Sequence, residues 1–202
     1  MSFIDYNAIS TTTDKRIVKS RRSIFENLVM LLEVKHLDSI TVTELCKAAM
    51  LNRKTFYMQY SSVRDAFVSM EEHIIDAYLQ KLQDIGVLNS SGLKPRELIL
   101  VTEQFREEYK ETFEVIYQYI RNGDFIKLLG RAIGNLGNQF INESKEVSNV
   151  AAYTSALVFS LNGLIVFYFD WIDLGKVMSV SELALLAETL ITSPLKDLMT
   201  IR

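Results

Sequence analysis

The chain has 202 residues and a mass of 23.2 kDa, enough for one domain or two small ones sharing a core. Hydrophobic residues make up 49% and charged residues 23%, which excludes global disorder and a fibre, and two prolines with eight glycines are too few for a turn-rich sandwich or barrel. The net charge of −3 hides an asymmetry: residues 1–60 hold nine Lys/Arg against six Asp/Glu, leaving 13 basic and 19 acidic of the totals 22 and 25 for the rest. A basic end on an acidic body suggests that one end meets a polyanion, although solvated faces vary in charge by chance as well.

Cys46 is the single cysteine, so there is no internal disulfide framework and no Cys-rich zinc site, and His36 and His73 are too few for a His-rich centre. No metal or other cofactor is expected. Met1 to Ser10 has neither a basic start nor an apolar run, so no signal peptide is read and the expected compartment is the cytoplasm.

Residues 1–12 read as a loose tail. From Asp14 to Lys35 the apolar residues Ile17, Ile24, Phe25, Leu28, Leu31 and Leu32 form a helical stripe opposite Lys15, Lys19 and Arg22. Thr41-Val42-Thr43-Glu44 has the form of a capping box, which predicts a short helix with Leu45 and Ala48 facing inward and an end near Ala49. After Met50-Leu51, Asn52 caps a second short helix, Arg53 to Tyr60. Ser61 or Ser62 then caps a long helix whose inner face reads Ala66, Phe67, Met70, Ile74, Ala77, Leu82 and Ile85.

Residues 86–95 contain Gly86, Asn89, Ser90, Ser91, Gly92 and Pro95 and read as a linker. One helix is expected from Leu98 through Thr102, Phe105, Tyr109, Phe113 and Ile116 to Ile120, stopped by Asn122-Gly123. Phe125, Leu128, Leu129, Ala132, Ile133, Leu136 and Phe140 mark another. A helix at about 148–173 follows, uncharged from Val147 to Phe169, and Ser179 with Glu182 caps a last helix that should stop at Pro194. No strand-like alternation competes, so the expected fold is all-α.

The uncharged helix is long enough to cross a bilayer. Ser148, Asn149, Thr154, Ser155, Ser160 and Asn162 interrupt it, however, and no Lys/Arg cluster flanks it. A helix apolar nearly all round also suits the centre of a bundle or a dimer interface, and no membrane partner is expected.

Two short helices separated by a tight break at 41–60 match a helix-turn-helix, whose second helix lies in the major groove of DNA. Arg53 and Lys54, at the start of that helix, can reach guanine edges or phosphates. Thr55 and Tyr57 offer hydroxyls to phosphates, and Gln59 can read an adenine.

Residues 14 to 67 resemble the DNA-binding domain of the tetracycline-repressor (TetR) family of bacterial transcription regulators. The residues that carry the resemblance are Lys15 to Glu33, Ile40-Thr41-Val42-Thr43-Glu44-Leu45-Cys46, and above all Leu51-Asn52-Arg53-Lys54-Thr55-Phe56-Tyr57-Met58-Gln59-Tyr60. Ser61-Ser62-Val63-Arg64-Asp65-Ala66-Phe67 fits the start of that family's fourth helix. Two positions depart from the pattern. Met50 stands where glycine is usual, which costs about 1 kcal/mol unless its φ stays negative. Val63 stands where a basic phosphate clamp is usual, with Arg64 one position later.

The resemblance implies an N-terminal three-helix DNA-binding domain at 13–62 and a helical effector-binding and dimerisation body at 63–202. Expected DNA-binding residues are Arg22, Thr41, Thr43, Asn52, Arg53, Lys54, Thr55, Tyr57, Gln59, Ser62 and Arg64. It further implies a homodimer on a near-palindromic operator of double-stranded DNA, with half-sites about one helical turn or more apart. The last two long helices would form the dimer bundle through Leu157, Leu161, Leu164, Val166, Phe167, Leu186 and Leu190. A small-molecule effector would shift the spacing of the two reading helices and relieve repression.

Tyr109, Phe113 and Tyr117 recur at i, i+4, i+8 and could line the effector pocket with Arg106, Arg121 and Trp171, though such a stripe also suits a core. Gly130, Gly134 and Gly137 follow no strand, so they read as close helix packing and not as a dinucleotide loop. Carboxylates without a converging His or Cys nucleophile argue against an enzyme. Two rivals remain: a TetR-like interaction protein or co-activator answering to a protein partner, and a membrane-associated helical protein.

Overall fold

The computed structural model describes residues 14–89, 92–122, 125–143 and 150–200. They form an all-helical architecture apart from one two-residue ladder, and they group into two compact units. The expected tail at 1–12 and the expected stop at Gly123 lie outside the described residues, as do the side chains of Leu136 and Phe140 and the surroundings of Gly137.

The first unit takes in α1 (Lys15–Leu32), α2 (Val42–Ala48), α3 (Arg53–Tyr57), α4 (Val63–Ile85) as far as Ala77, and α6 (Lys110–Asn122). Asp14 caps α1 by accepting from the Arg16 amide at 2.8 Å, and Ile24, Phe25, Leu28, Val29 and Leu32 make its buried face. The capping box closes at α2: Glu44 N donates to Thr41 Oγ1 at 3.2 Å and Thr41 N donates to Glu44 Oε2 at 3.1 Å. This helix buries Leu45, Cys46 and Ala49, whereas Ala48 is exposed, so its inward face lies one residue away from the expected one.

Helix α3 ends at Tyr57, earlier than expected, because Gln59 N and Tyr60 N both turn back to the Phe56 carbonyl at 2.9 Å. Phe25, Phe56 and Tyr60 then pack as one aromatic group, with ring centroids 6.0 Å and 5.8 Å apart around Tyr60. Ser62 caps α4 by accepting from Asp65 N at 3.0 Å. Ile85, expected inside, is exposed at the end of α4.

The single helix expected between Leu98 and Ile120 is two: α5 (Pro95–Glu108), in the second unit, and α6, in the first. Their apolar stripes run in phase past Tyr109, so periodicity alone could not reveal the break. In α6, Thr112, Ile116 and Ile120 are fully buried, Tyr119 packs its ring on Phe67 at 5.3 Å, and its hydroxyl accepts from Leu37 N at 3.0 Å.

The second unit holds the end of α4, a hairpin, α5, α7 (Phe125–Glu143), α8 (Val150–Asp173) and α9 (Val180–Thr200). Gly86, at φ +68°, closes α4, with Val87 N reaching back to the Leu82 carbonyl at 3.1 Å. The expected linker then pairs β1 (Leu88–Asn89) with β2 (Gly92–Leu93), antiparallel, with Leu88 opposite Leu93. Helix α7 packs along α8, and α8 along α9. A Cβ on Gly130 would lie 2.6 Å from Asn162 Oδ1, so the absent side chain lets α7 and α8 approach closely. Helix α9 runs through Pro194 to Thr200, where a stop was expected.

Candidate nucleic-acid interface

The α2–α3 pair is joined by a tight turn built from backbone hydrogen bonds. Leu51 N donates to the Cys46 carbonyl at 2.9 Å and Met50 N to the Lys47 carbonyl at 3.3 Å, the paired bonds that end a helix in a left-handed residue. That residue is Met50, at φ +53°, so the glycine position is held by a side chain in the left-handed region. Its side chain is 91% exposed and meets no steric wall. The Ser23 hydroxyl of α1 donates to the Ala49 carbonyl at 3.0 Å and holds the turn from below.

Asn52 caps α3 by accepting from Lys54 N at 2.8 Å. Phe56 and Tyr60 anchor the helix inside, leaving Arg53, Lys54, Tyr57 and Met58 on the outer side. The Arg53 guanidinium lies 5.9 Å from the Tyr57 ring centroid, a cation–π approach that keeps the charge near the ring. Neither Arg53 nor Lys54 has an ion-pair partner among the described residues, so both charges face solvent. Thr55 is half-buried and Thr43 is exposed.

The remaining expected DNA-binding residues are engaged within the protein. Gln59, expected to read an adenine, turns its amide toward α1, donating to Ser20 Oγ at 2.8 Å, while its Oε1 is buried without a hydrogen-bond partner among the described residues. Thr41 and Ser62 serve as helix caps, Arg22 pairs with Glu26 at 2.6 Å, and Arg64 pairs with Asp38. Val63 is buried, so the position of the basic clamp packs into the core. A hydrogen bond from Lys35 and two from Thr41 hold the Glu44 carboxyl down at about 2, which keeps the α2 cap ionised.

The six residues expected in an effector pocket fall in different units: Tyr109, Phe113, Tyr117 and Arg121 in the first, Arg106 and Trp171 in the second. Arg106 binds Glu103 through Nε and Nη2, both at 2.9 Å, and also reaches Glu107. Glu103 further accepts from Tyr168 Oη at 2.6 Å and Lys176 Nζ at 2.7 Å. Burial pushes the Glu103 carboxyl up, but the bonds from Arg106, Lys176 and Tyr168 outweigh it and bring it to about 2. Burial, followed by the Glu103 charge, pushes the Tyr168 hydroxyl far up. Trp171 donates to the Met178 carbonyl at 2.9 Å and carries Lys176 over its ring at 5.1 Å. Glu103 therefore fastens α5 to α8 and to the α8–α9 loop through Tyr168 and Lys176, while Arg106 bonds along its own helix and Trp171 to the loop, all inside the second unit.

A depression of about 690 Å³ opens in the first unit between α1 and α6, lined by Leu32, Glu33, Glu111, Glu114, Val115 and Gln118. None of the six expected pocket residues lines it.

Of the expected dimer residues, Leu157, Leu161 and Leu164 are buried inside their own unit, at 1%, 1% and 3% exposure, and Phe167 is half-buried. Among the described side chains, the large outward apolar residues of α8 are Val158, Phe159 and Val166, and those of α9 are Leu185, Leu186 and Leu190. Because α8 is apolar nearly all round, its sequence does not show which leucines face in, and Phe159, 80% exposed, went unnoticed. Residues Ala151–Asp173 are long and apolar enough to cross a membrane by length and composition, with 39% of the most apolar window buried in the fold.

No protein-family model matches the chain, and no curated protein matches it. Among solved structures the chain is similar to the fatty acid degradation regulator FadR from Bacillus halodurans, at 14% identity, covering 88% of this chain and 96% of that one, with a TM-score of 0.48.

Proposed function

We propose that the protein is a DNA-binding transcription regulator of the TetR type, a repressor that binds a near-palindromic operator as a homodimer in the bacterial cytoplasm. The carrying observation is the outer side of α3. Among the described residues, Arg53 and Lys54 stand without carboxylate partners beside the exposed Tyr57, on a short helix pinned inward by Phe56 and Tyr60. Phosphate binding needs such free cations, and groove reading needs a helix held rigidly by its opposite face. In this reading residues 13–62 form the DNA-binding domain and 63–202 the effector and dimer body.

The dimer reading is supported by apolar side chains that α8 and α9 leave in solvent. Phe159, Val158 and Val166 with Leu185, Leu186 and Leu190 form two neighbouring stripes, which a second copy would bury in a four-helix bundle. Ser155 is exposed on α8, which suits a protein partner better than lipid. A small-molecule effector acting on the helical body completes the reading, and no catalytic role is assigned. The internal bonding of Arg106 and Trp171 favours one rival, release by a protein partner instead of a small ligand.

Selection of random duplex DNA by the purified protein, read by sequencing at two salt concentrations, tests the proposal. A near-palindrome whose binding weakens steeply with salt is the expected result. Absence of any enriched sequence at either salt would overturn it and move the protein-partner reading ahead.

A further inference from the structure

The side chains able to hydrogen-bond a base edge are fewer than the sequence of α3 suggests. Asn52 spends its carbonyl oxygen on the Lys54 amide, and Gln59 spends its amide on Ser20, so the two residues suited to adenine are drawn away from the outer side. What this side presents instead is two cations, the Tyr57 ring at 50% exposure and the Met58 thioether at 77%. Met58 lies one helical turn after Lys54 and beside Tyr57, opposite the buried Phe56. A single exposed methionine needs no explanation. Here, however, the thioether and the ring stand together on the side that carries the Arg53 and Lys54 cations. In the major groove the only apolar group on a base edge is the C5-methyl of thymine.

We infer that Met58, with Tyr57 beside it, reads sequence by apolar contact with thymine methyl groups, so that the operator half-site contains at least one thymine recognised by its methyl alone. This inference rests on the proposed DNA-binding function and specifies its readout. Arg53 and Lys54 supply charge and contacts to guanine or phosphate, and Met58 supplies discrimination that no hydrogen bond provides.

The test uses the full-length protein and the duplex it selects, with each thymidine replaced in turn by deoxyuridine, which keeps base pairing and removes only the methyl. One or two replacements per half-site should weaken binding about fourfold, the worth of one buried methyl-sized group. In Met58→Ala, checked for native helicity by circular dichroism, that penalty should vanish, and in Met58→Leu, still apolar, it should persist. A selected duplex on which every deoxyuridine is neutral, or on which Met58→Ala keeps the full penalty, overturns the role of Met58 and leaves the DNA-binding reading standing. A protein that selects no duplex overturns the DNA-binding reading itself, and this inference with it.

Discussion

The side-chain amide of Gln59 donates to the hydroxyl of Ser20 at 2.8 Å, fastening the segment after α3 to α1. Ser20 Oγ in turn donates to the Ile17 carbonyl at 2.9 Å, so the contact is anchored in the backbone of α1. Gln59 thus ties the end of α3 to α1. Gln59→Ala should lower stability by about 1 kcal/mol, the worth of one partly buried hydrogen bond. It should weaken binding to all DNA sequences alike, because only the position of α3 changes. Urea denaturation and repeated duplex selection check both, and a loss of preference at one base pair would restore Gln59 to base readout.

Met50 makes a second stability prediction. At φ +53° an L-residue crowds its own Cβ against the backbone, and nothing nearby compensates a side chain that is 91% exposed. Met50→Gly should therefore stabilise the protein by about 0.5 kcal/mol, the left-handed strain being larger than the added freedom of the unfolded chain. The urea midpoint should rise with an unchanged slope. A fall would mean that the turn is not strained.

What could be read from the sequence follows from where the decisive chemistry sits. Thr41 with Glu44, Asn52, and Ser179 with Glu182 announce helix starts because a cap needs one residue type at one spacing, and all three caps form. The face of α3 was legible for Phe56 and Tyr60, whose size demands burial, but not for Gln59, since a polar side chain bonds inward as readily as outward. Helix α8 hid its orientation because a helix apolar on every side carries no periodic signal, and Leu161 and Phe159 look alike until packing separates them. Tyr109 gave no warning of the break between α5 and α6, having neither the ring of proline nor the freedom of glycine. A two-residue ladder is too short to show alternation at all.

Acid titration should expose the role of Glu103. Its carboxyl is brought from an ordinary 4.5 to about 2, so the folded state releases the proton more readily than the unfolded chain. The stability it contributes is then complete above about 4.5 and is lost as the pH falls from there toward 2. Glu103→Gln should destabilise the protein at neutral pH, because Arg106 and Lys176 each lose one carboxylate partner and keep only Glu107 among the described residues. It should also flatten that acid limb. Glu44, held at about 2, contributes to the same limb in both proteins, so the difference between the two curves isolates Glu103. Parallel curves for the variant and the parent would show that the Glu103 carboxyl is not held in its charged form by its neighbours.

In the proposed dimer, the outward stripe on α8 and α9 separates assembly from folding. Phe159, 80% exposed, contributes little to its own unit, whereas Leu161, at 1%, sits in the core beside Leu157 and Leu164. Phe159→Asp should therefore give a folded monomer, since a charge in an apolar interface is costly and the same charge in water is not. Leu161→Asp should instead unfold the protein, by well over 3 kcal/mol, because it buries an unpaired carboxylate as well as leaving a cavity. Light scattering reports the mass, and circular dichroism the helicity. If Phe159→Asp remains a dimer, the copies do not meet through this stripe, and the search for the interface moves elsewhere on the chain.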